Sequence, residues 1–233
     1  MKTSINILLV FLFAACTSVP DERMTPYVDF PETRELTART LSLDSALFRY
    51  PYRVRVQDDK AVVLDLHGTE YFFHAFHYPG FHYLSSFGKR GDAPEEMLST
   101  ENLRWNGNFL WTLDSNKSEL TRLGFASSGD SLLRLEAVSL DEELLRALDF
   151  VQYDDSTFII PDYSGDSRFC LVSRQGKLLH KIGTIPTTDE DALKNAHPAL
   201  AQAWRSFIDY NPRNGVLAAV TQLGEVLEIY NLK

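Results

Sequence analysis

The sequence predicts an all-β fold, a β-propeller of antiparallel four-stranded blades, and three observations predict it. A unit of roughly 40 to 50 residues recurs along the chain, the period of propeller blades. Each unit holds about four short runs rich in β-branched and aromatic residues, the composition of strands. Between the runs lie Asp, Asn and Gly pairs, the residues that tight hairpins demand.

The units follow one another in order. The first, VQDDKAVVLDLHGTEYFFHAFHYPGFHYLSSFG, begins at Val56, the second at Leu103, the third at Phe150 and the fourth at Phe207. Aligned on the end of the run that follows the first turn, their anchors are Asp65, Asp114, Asp162 and Thr221, spaced by 49, 48 and 59 residues. About four blades are therefore expected, near residues 50–92, 101–140, 146–186 and 205–233. First turns fall at Asp58-Asp59, Asn106-Gly107-Asn108, Asp154-Asp155 and Asn214-Gly215. Residues Asp65, Asp114 and Asp162 recur at equivalent positions, so their expected role is to bond backbone amides of the following turn. A catalytic or calcium-binding role for them at a ring axis is the competing reading.

The long third spacing has a local cause. Residues 188–204 are rich in Ala, Leu and charge, with Thr188 or Asp189 as N-cap, acids in the first turn and Pro198 opening or breaking the second half. A helical insertion is expected there, and further short helices over residues 93–98 and 141–148.

The N-terminus carries an address. Lys2 precedes an apolar run, Ile5 to Phe13, that is too short to span a bilayer and reads as a secretory signal. The following Phe13-Ala14-Ala15-Cys16 resembles the lipobox of bacterial lipoproteins. The resemblance implies that residues 1–15 are removed and that Cys16 is lipidated, with residues 16–35 as a proline-bearing tether and 36–233 as the propeller. One acyl chain binds a membrane only marginally, at about 0.8 kcal/mol per methylene, whereas the several chains usual for this class anchor it durably. The expected location is the cell envelope, outside the cytoplasm and on a bacterial membrane, with the outer membrane preferred.

Composition narrows the classes further. The chain has 233 residues, is 44% hydrophobic and carries a net charge of −9. That charge, without a basic stripe, lacks the footprint of a nucleic-acid binder. Once Cys16 is lipidated only Cys170 remains, which excludes an intrachain disulfide and reads as a small buried hydrophobe in RFCLV.

The stretch FHYLSSFGKRGDAPEEM, residues 81–97, resembles a phrase from lipoproteins with a TolB-like six-bladed propeller domain, with Gly88, Gly91, Pro94 and Glu95 in the corresponding places. The resemblance implies six blades, of which four are visible. Two readings stay open. One is a chain lacking about two blades of a six-bladed ring; the other is a four-bladed ring whose last blade is completed by a strand from residues 35–44.

Chemistry-bearing candidates are few. His77 and His82 would face each other if Pro79-Gly80 closes a two-residue turn, and could share a metal ion, but no third ligand falls into place. The aromatic residues Tyr71, Phe72, Phe73, Phe76, Tyr78, Phe81 and Tyr83 form blade core or, where they point outward, a stacking platform. No G-x-S-x-G and no P-loop occur in the sequence. The function expected is a noncatalytic binding or scaffolding lipoprotein, needing no cofactor and engaging an envelope protein or glycan. Alternatives are an envelope hydrolase or lyase using the central cleft of a propeller, and a degenerate paralogue.

Overall fold

Second strands of the repeats read AVVL, LWTL and FIIP, continuous apolar runs rather than alternating ones. A strand covered on both faces has that pattern. In a computed structural model, which describes residues 31–41, 43, 48–144 and 146–233, these runs lie inside their sheets, LWTL and FIIP with a neighbouring sheet on either face and AVVL with a sheet on one face and Leu43, Phe48 and Phe81 on the other. The signal segment, Cys16 and the tether up to residue 30 lie outside the described residues.

The chain is all-β. The strands are β1 (Pro51–Gln57), β2 (Lys60–Asp65), β3 (Tyr71–His77), β4 (His82–Lys89), β5 (Thr100–Asn106), β6 (Phe109–Asp114), β7 (Glu119–Phe125) and β8 (Leu132–Ser139). They continue with β9 (Val151–Gln152), β10 (Thr157–Pro161), β11 (Phe169–Ser173) and β12 (Leu178–Ile182). After α1 (Glu190–Asn195) and α2 (His197–Ala203) come β13 (Ser206–Asn211), β14 (Val216–Thr221) and β15 (Leu227–Asn231). Consecutive strands pair antiparallel into four sheets, three of four strands and a last one of three. We call these blades 1 to 4.

Turn chemistry closes the hairpins as the residues dictate. Asp58 and Gly107 take the left-handed conformation in the first turns of blades 1 and 2, with φ of 52° and 53°. Bulges interrupt the register of the β3–β4, β7–β8 and β11–β12 pairs, adding local twist to the outer strands.

The blades pack face on face through successive apolar cores. Val62, Leu64, Phe72 and Phe73 of blade 1 meet Leu103, Leu110 and Leu123 of blade 2. Trp111, Leu113 and Leu120 of blade 2 meet Phe158, Ile160, Cys170 and Val172 of blade 3. Val151, Ile159 and Phe169 of blade 3 meet Ile208, Leu217 and Ala219 of blade 4. Each fully buried Leu or Phe in such a core contributes roughly 1.5–3 kcal/mol. On blade 4 the far face is open, so β14 reverts to alternation: Leu217 and Ala219 are buried while Val220 is 46% exposed.

Three local expectations are corrected. Residues 93–98 form turns rather than a helix, because the carbonyls of Ala93 and Glu96 are taken by Lys117 Nζ instead of by amides four residues on. Residues 141–148, Leu145 excepted, are also helix-free: Leu144 N–H closes a three-residue turn on Asp141, and Arg146 sits at a φ of 48° that no helix tolerates. The closing strand expected over residues 35–44 is absent among the described residues of that segment, and Leu36 is 93% exposed.

Candidate axial binding site

The first strand of each blade brings its side chains toward those of the others. Arg53 and Arg55 alternate on β1, and the period of a strand puts both on one face. Arg55 Nε donates to the carbonyl of Leu103 on β5 at 3.1 Å. The Arg53 guanidinium lies 5.2 Å from the ring of Tyr52 and 5.0 Å from that of Phe207 on β13. Blades 1, 2 and 4 thus meet through first-strand residues.

Arg104 on β5 is the centre of this meeting. It is 9% exposed and reaches two blades at once. Its Nη2 donates to Asp149 Oδ1 at 3.0 Å and to the carbonyl of Ile208, and its Nη1 donates to Asp209 Oδ1 at 3.0 Å. Asp149, 2% exposed, spends its remaining capacity on the backbone, accepting from Phe150 N at 2.7 Å and Ile208 N at 3.0 Å. A planar fork with five donors can serve such a set, where a lysine could not.

A second arginine holds blades 3 and 4. Arg168, 2% exposed, forks onto Glu228 with Nε at 3.1 and 3.2 Å from the two carboxylate oxygens, and caps Trp204 O at 2.9 Å and Ser206 Oγ at 3.0 Å. Burial, then the Glu228 carboxylate, pushes the Tyr230 hydroxyl beside it up to about 12. Near Asp149, Arg205 and Glu101, the Tyr163 hydroxyl is buried without a protein partner among the described residues, and burial raises its pKa strongly.

Charge at the axis is not balanced. Arg53 and Arg55 make no ion pair among the described residues, while Arg104 occupies both Asp149 and Asp209. Burial lowers the Arg55 pKa first, and the Arg104 charge lowers it further, against the opposing pull of Asp209. Arg53 and Arg55 are absent from a repeat read from Val56, because that start falls near the end of β1. The signal that reveals them is the R-x-R alternation in YPYRVRVQ, two arginines on one face of a strand that opens a blade.

The residues singled out by the repeat sit elsewhere. Asp114 Oδ1 accepts from Ser99, Asn116 and Lys117 amides at 3.2, 3.1 and 3.0 Å, and Oδ2 from Leu98 N at 2.6 Å. Asp65, fully buried, accepts from the amides of Arg49 and Tyr50 at 2.9 and 2.6 Å. Asp162 accepts from Ser164 N at 2.9 Å and Ser167 N at 3.1 Å, and pairs with Lys181 at 3.3 Å. Their oxygens therefore serve backbone amides: Asp114 and Asp162 bond the turn that follows them, whereas Asp65 bonds the segment that leads into β1, as Asp114 also does for β5.

His77 and His82 are opposite in the β3–β4 register. His77 Nε2 lies 3.4 Å from Asp59 Oδ2, and no group of three or more potential metal ligands gathers among the described residues. Of the aromatic cluster, Phe72, Phe73 and Phe76 are buried, whereas Tyr78 and Tyr83 are 38% and 39% exposed. The glycine-bearing segment 88–97 straps blade 1 to blade 2, with Arg134 donating to Pro94 O and Lys117 to two carbonyls. Gly88 adopts a φ of +67°, and a Cβ there would stand 2.7 Å from the Phe73 ring, so both backbone and space demand glycine. Cys170 is a free thiol within the core between blades 2 and 3, its pKa pushed up to about 12 by burial and the Asp162 charge.

Comparison with known proteins agrees with this architecture. The family model described as TolB-like 6-blade propeller-like matches residues 29–233. A search of curated proteins finds no match. Among solved structures, a candidate exported protein from Bacteroides fragilis aligns with a TM-score of 0.51 at 8% identity, covering 82% of this chain and 73% of that one. A functionally unknown protein from Desulfotomaculum acetoxidans aligns at 0.48 and 13% identity, over 76% of this chain and 54% of that one. A candidate 6-phosphogluconolactonase from Bacteroides fragilis aligns at 0.47 and 12%, over 76% and 52%. The chain thus spans about half the length of the latter two. At such identities the first likeness shows fold alone, and the others carry no argument.

Proposed function

The chain belongs to the TolB-like six-blade propeller family, and from that premise we propose that it is an exported, lipid-anchored binding module of the cell envelope. Its blades are a scaffold, and its recognition surface is the axial face where the first strands meet. One observation carries the reading: Arg53 and Arg55 are half-buried and without ion pairs among the described residues, Arg53 beside the rings of Tyr52 and Phe207 and Arg55 bonded to the carbonyl of Leu103. Elsewhere the blades meet through apolar cores, and the arginines between them, Arg168 and Arg174, are already paired with Glu228 and Glu136.

Binding rather than turnover is supported by how the axial acids are used. Asp149 bonds Arg104 and two backbone amides, and Asp209 bonds Arg104, so neither carboxylate is poised as a general acid or base. The anchor rests on the Phe13-Ala14-Ala15-Cys16 motif. It predicts incorporation of labelled acyl chains in the cell, lost in Cys16→Ser together with membrane fractionation. The binding role is tested by capture from envelope extracts with the full chain and with a chain bearing Arg53→Gln and Arg55→Gln. A protein or glycan enriched by the first and not by the second supports it. Identical captures, or none from the unaltered chain, would overturn it.

A further inference from the structure

We propose that the axial cluster is an oxyanion site, taking the carboxylate or phosphate group of a small solute between the guanidiniums of Arg53 and Arg55. The inference rests on the binding role above and names the chemistry of what is bound.

Charge is the first ground. Three guanidiniums, of Arg53, Arg55 and Arg104, share this region with two carboxylates, of Asp149 and Asp209, and both carboxylates bond Arg104. A positive charge remains on the β1 side. The net charge of −9 does not cancel it, because acids more than about 8–10 Å away are screened at physiological salt.

Geometry is the second. Residues two apart on a strand stand about 6.6 Å apart with their side chains on one face. Two planar forks at that spacing can bracket one oxyanion, each donating a pair of hydrogen bonds. Arg55 uses Nε on Leu103 O, which fixes the head of its side chain. Arg53 is fixed differently, by the two aromatic rings it covers. Arginine already held in place loses less freedom when it binds.

The third ground is the character of the unpaired atoms. Arg53 Nε, Arg104 Nε, Asn102 Nδ2, Arg205 Nε and the Tyr163 hydroxyl are buried without a protein partner among the described residues. All five can donate, and they belong to first strands or lie against residues that do, against one unpartnered first-strand acceptor, Gln152 Oε1 on β9. An excess of donors calls for an acceptor-rich occupant.

The test uses the full chain purified in detergent, titrated with inorganic phosphate and, separately, with sodium glucuronate, at constant ionic strength held by sodium chloride. Binding is read by calorimetry and by the shift in melting temperature. We expect saturable binding of at least one probe, and the probe that binds tells a phosphate source from a carboxylate source. Arg53→Gln or Arg55→Gln should weaken it at least tenfold, with Arg55→Lys intermediate. Asp209→Asn, which removes a competing carboxylate from an exposed position, should tighten it severalfold, a gain that a purely structural role for these residues would not produce. Melting curves without ligand show whether each variant is folded, and Asp209→Asn keeps the test decisive if an arginine variant is not. Failure of both probes to bind, or binding indifferent to Arg55→Gln and Asp209→Asn, would overturn the inference. Envelope capture that still depends on the two arginines, with no probe bound, would sink the oxyanion site and leave the binding role standing.

Discussion

Asp149→Ala should destabilise the protein more than any other single change at the axis. The carboxylate is 2% exposed and accepts from Arg104 Nη2, Phe150 N and Ile208 N at 3.0, 2.7 and 3.0 Å. Its loss leaves a guanidinium that is itself 9% exposed, whose other carboxylate partner, Asp209, has a side chain 74% exposed. Removing one member of a buried ion pair costs about 3–5 kcal/mol, because the survivor keeps its desolvation penalty. For a domain of this size, about 4 kcal/mol lowers the melting temperature by roughly 8–16 °C. Asp209→Ala, which removes the exposed partner, should cost under about 1 kcal/mol. Pairing Asp149→Leu with Arg104→Met replaces both charges by apolar volume and should recover the part of the loss due to the stranded guanidinium, while the Phe150 and Ile208 amides stay unpaired. Urea unfolding of the four chains gives the comparison, and hydrogen exchange at the Ile208 amide reports the lost bond directly. An Asp149→Ala chain within 1 kcal/mol of the unaltered protein would refute the reasoning.

Three further outcomes follow from individual contacts. Asp114→Ala strands four backbone amides, two in the following turn and two in the segment leading into β5, of which some regain water, and should cost about 3 kcal/mol in urea unfolding, with Asp114→Asn losing about half as much because one acceptor oxygen remains. Hydrogen bonds from Lys181, then His197, hold Asp166 down at about 2, so its contribution to stability is complete above about pH 4 and fades as pH falls from there toward 2. The side chain is 48% exposed, which keeps that contribution below about 1 kcal/mol; carboxyl NMR should show the low midpoint, and Lys181→Met should raise it. Cys170, with its thiol pushed up to about 12 and buried in the core, should resist thiol reagents at pH 8 until the chain unfolds, so labelling should track global unfolding, and fast labelling of the folded protein would contradict the packing.

The sheets were legible because their signals are local. Turn pairs such as Asn106-Gly107 and runs such as FLWTLD carry hairpin and strand information within a few residues, and the aspartates at their ends mark the period. Helix α1 was legible for the same reason, with Asp189 accepting from Ala192 N at 2.9 Å as its cap. Segments 93–98 and 141–148 read as helices because their composition favours one, while tertiary partners decide otherwise: Lys117 on the first, the Gly176 carbonyl on the second. The axial cluster was not legible as a site. Arg104 and Asp149 are 45 residues apart, and Arg104 and Asp209 are 105 apart, so nothing in either neighbourhood announces the other. Only the two arginines of β1 leave a local trace.

The division of labour between strands follows from where each sits in a blade. Middle strands of the inner blades have sheet on both faces, so Leu110 and Ile159 sit in apolar cores. First strands crowd together, and there Arg104 comes within hydrogen-bond reach of Asp149 and Ile208 from other blades. That crowding makes one arginine sufficient to tie several sheets, and it also exhausts the local carboxylates. Arg53 and Arg55 stay uncompensated because the acids nearest them are already bonded to Arg104. Holding the blades together and leaving charge open for a ligand are therefore two consequences of one arrangement.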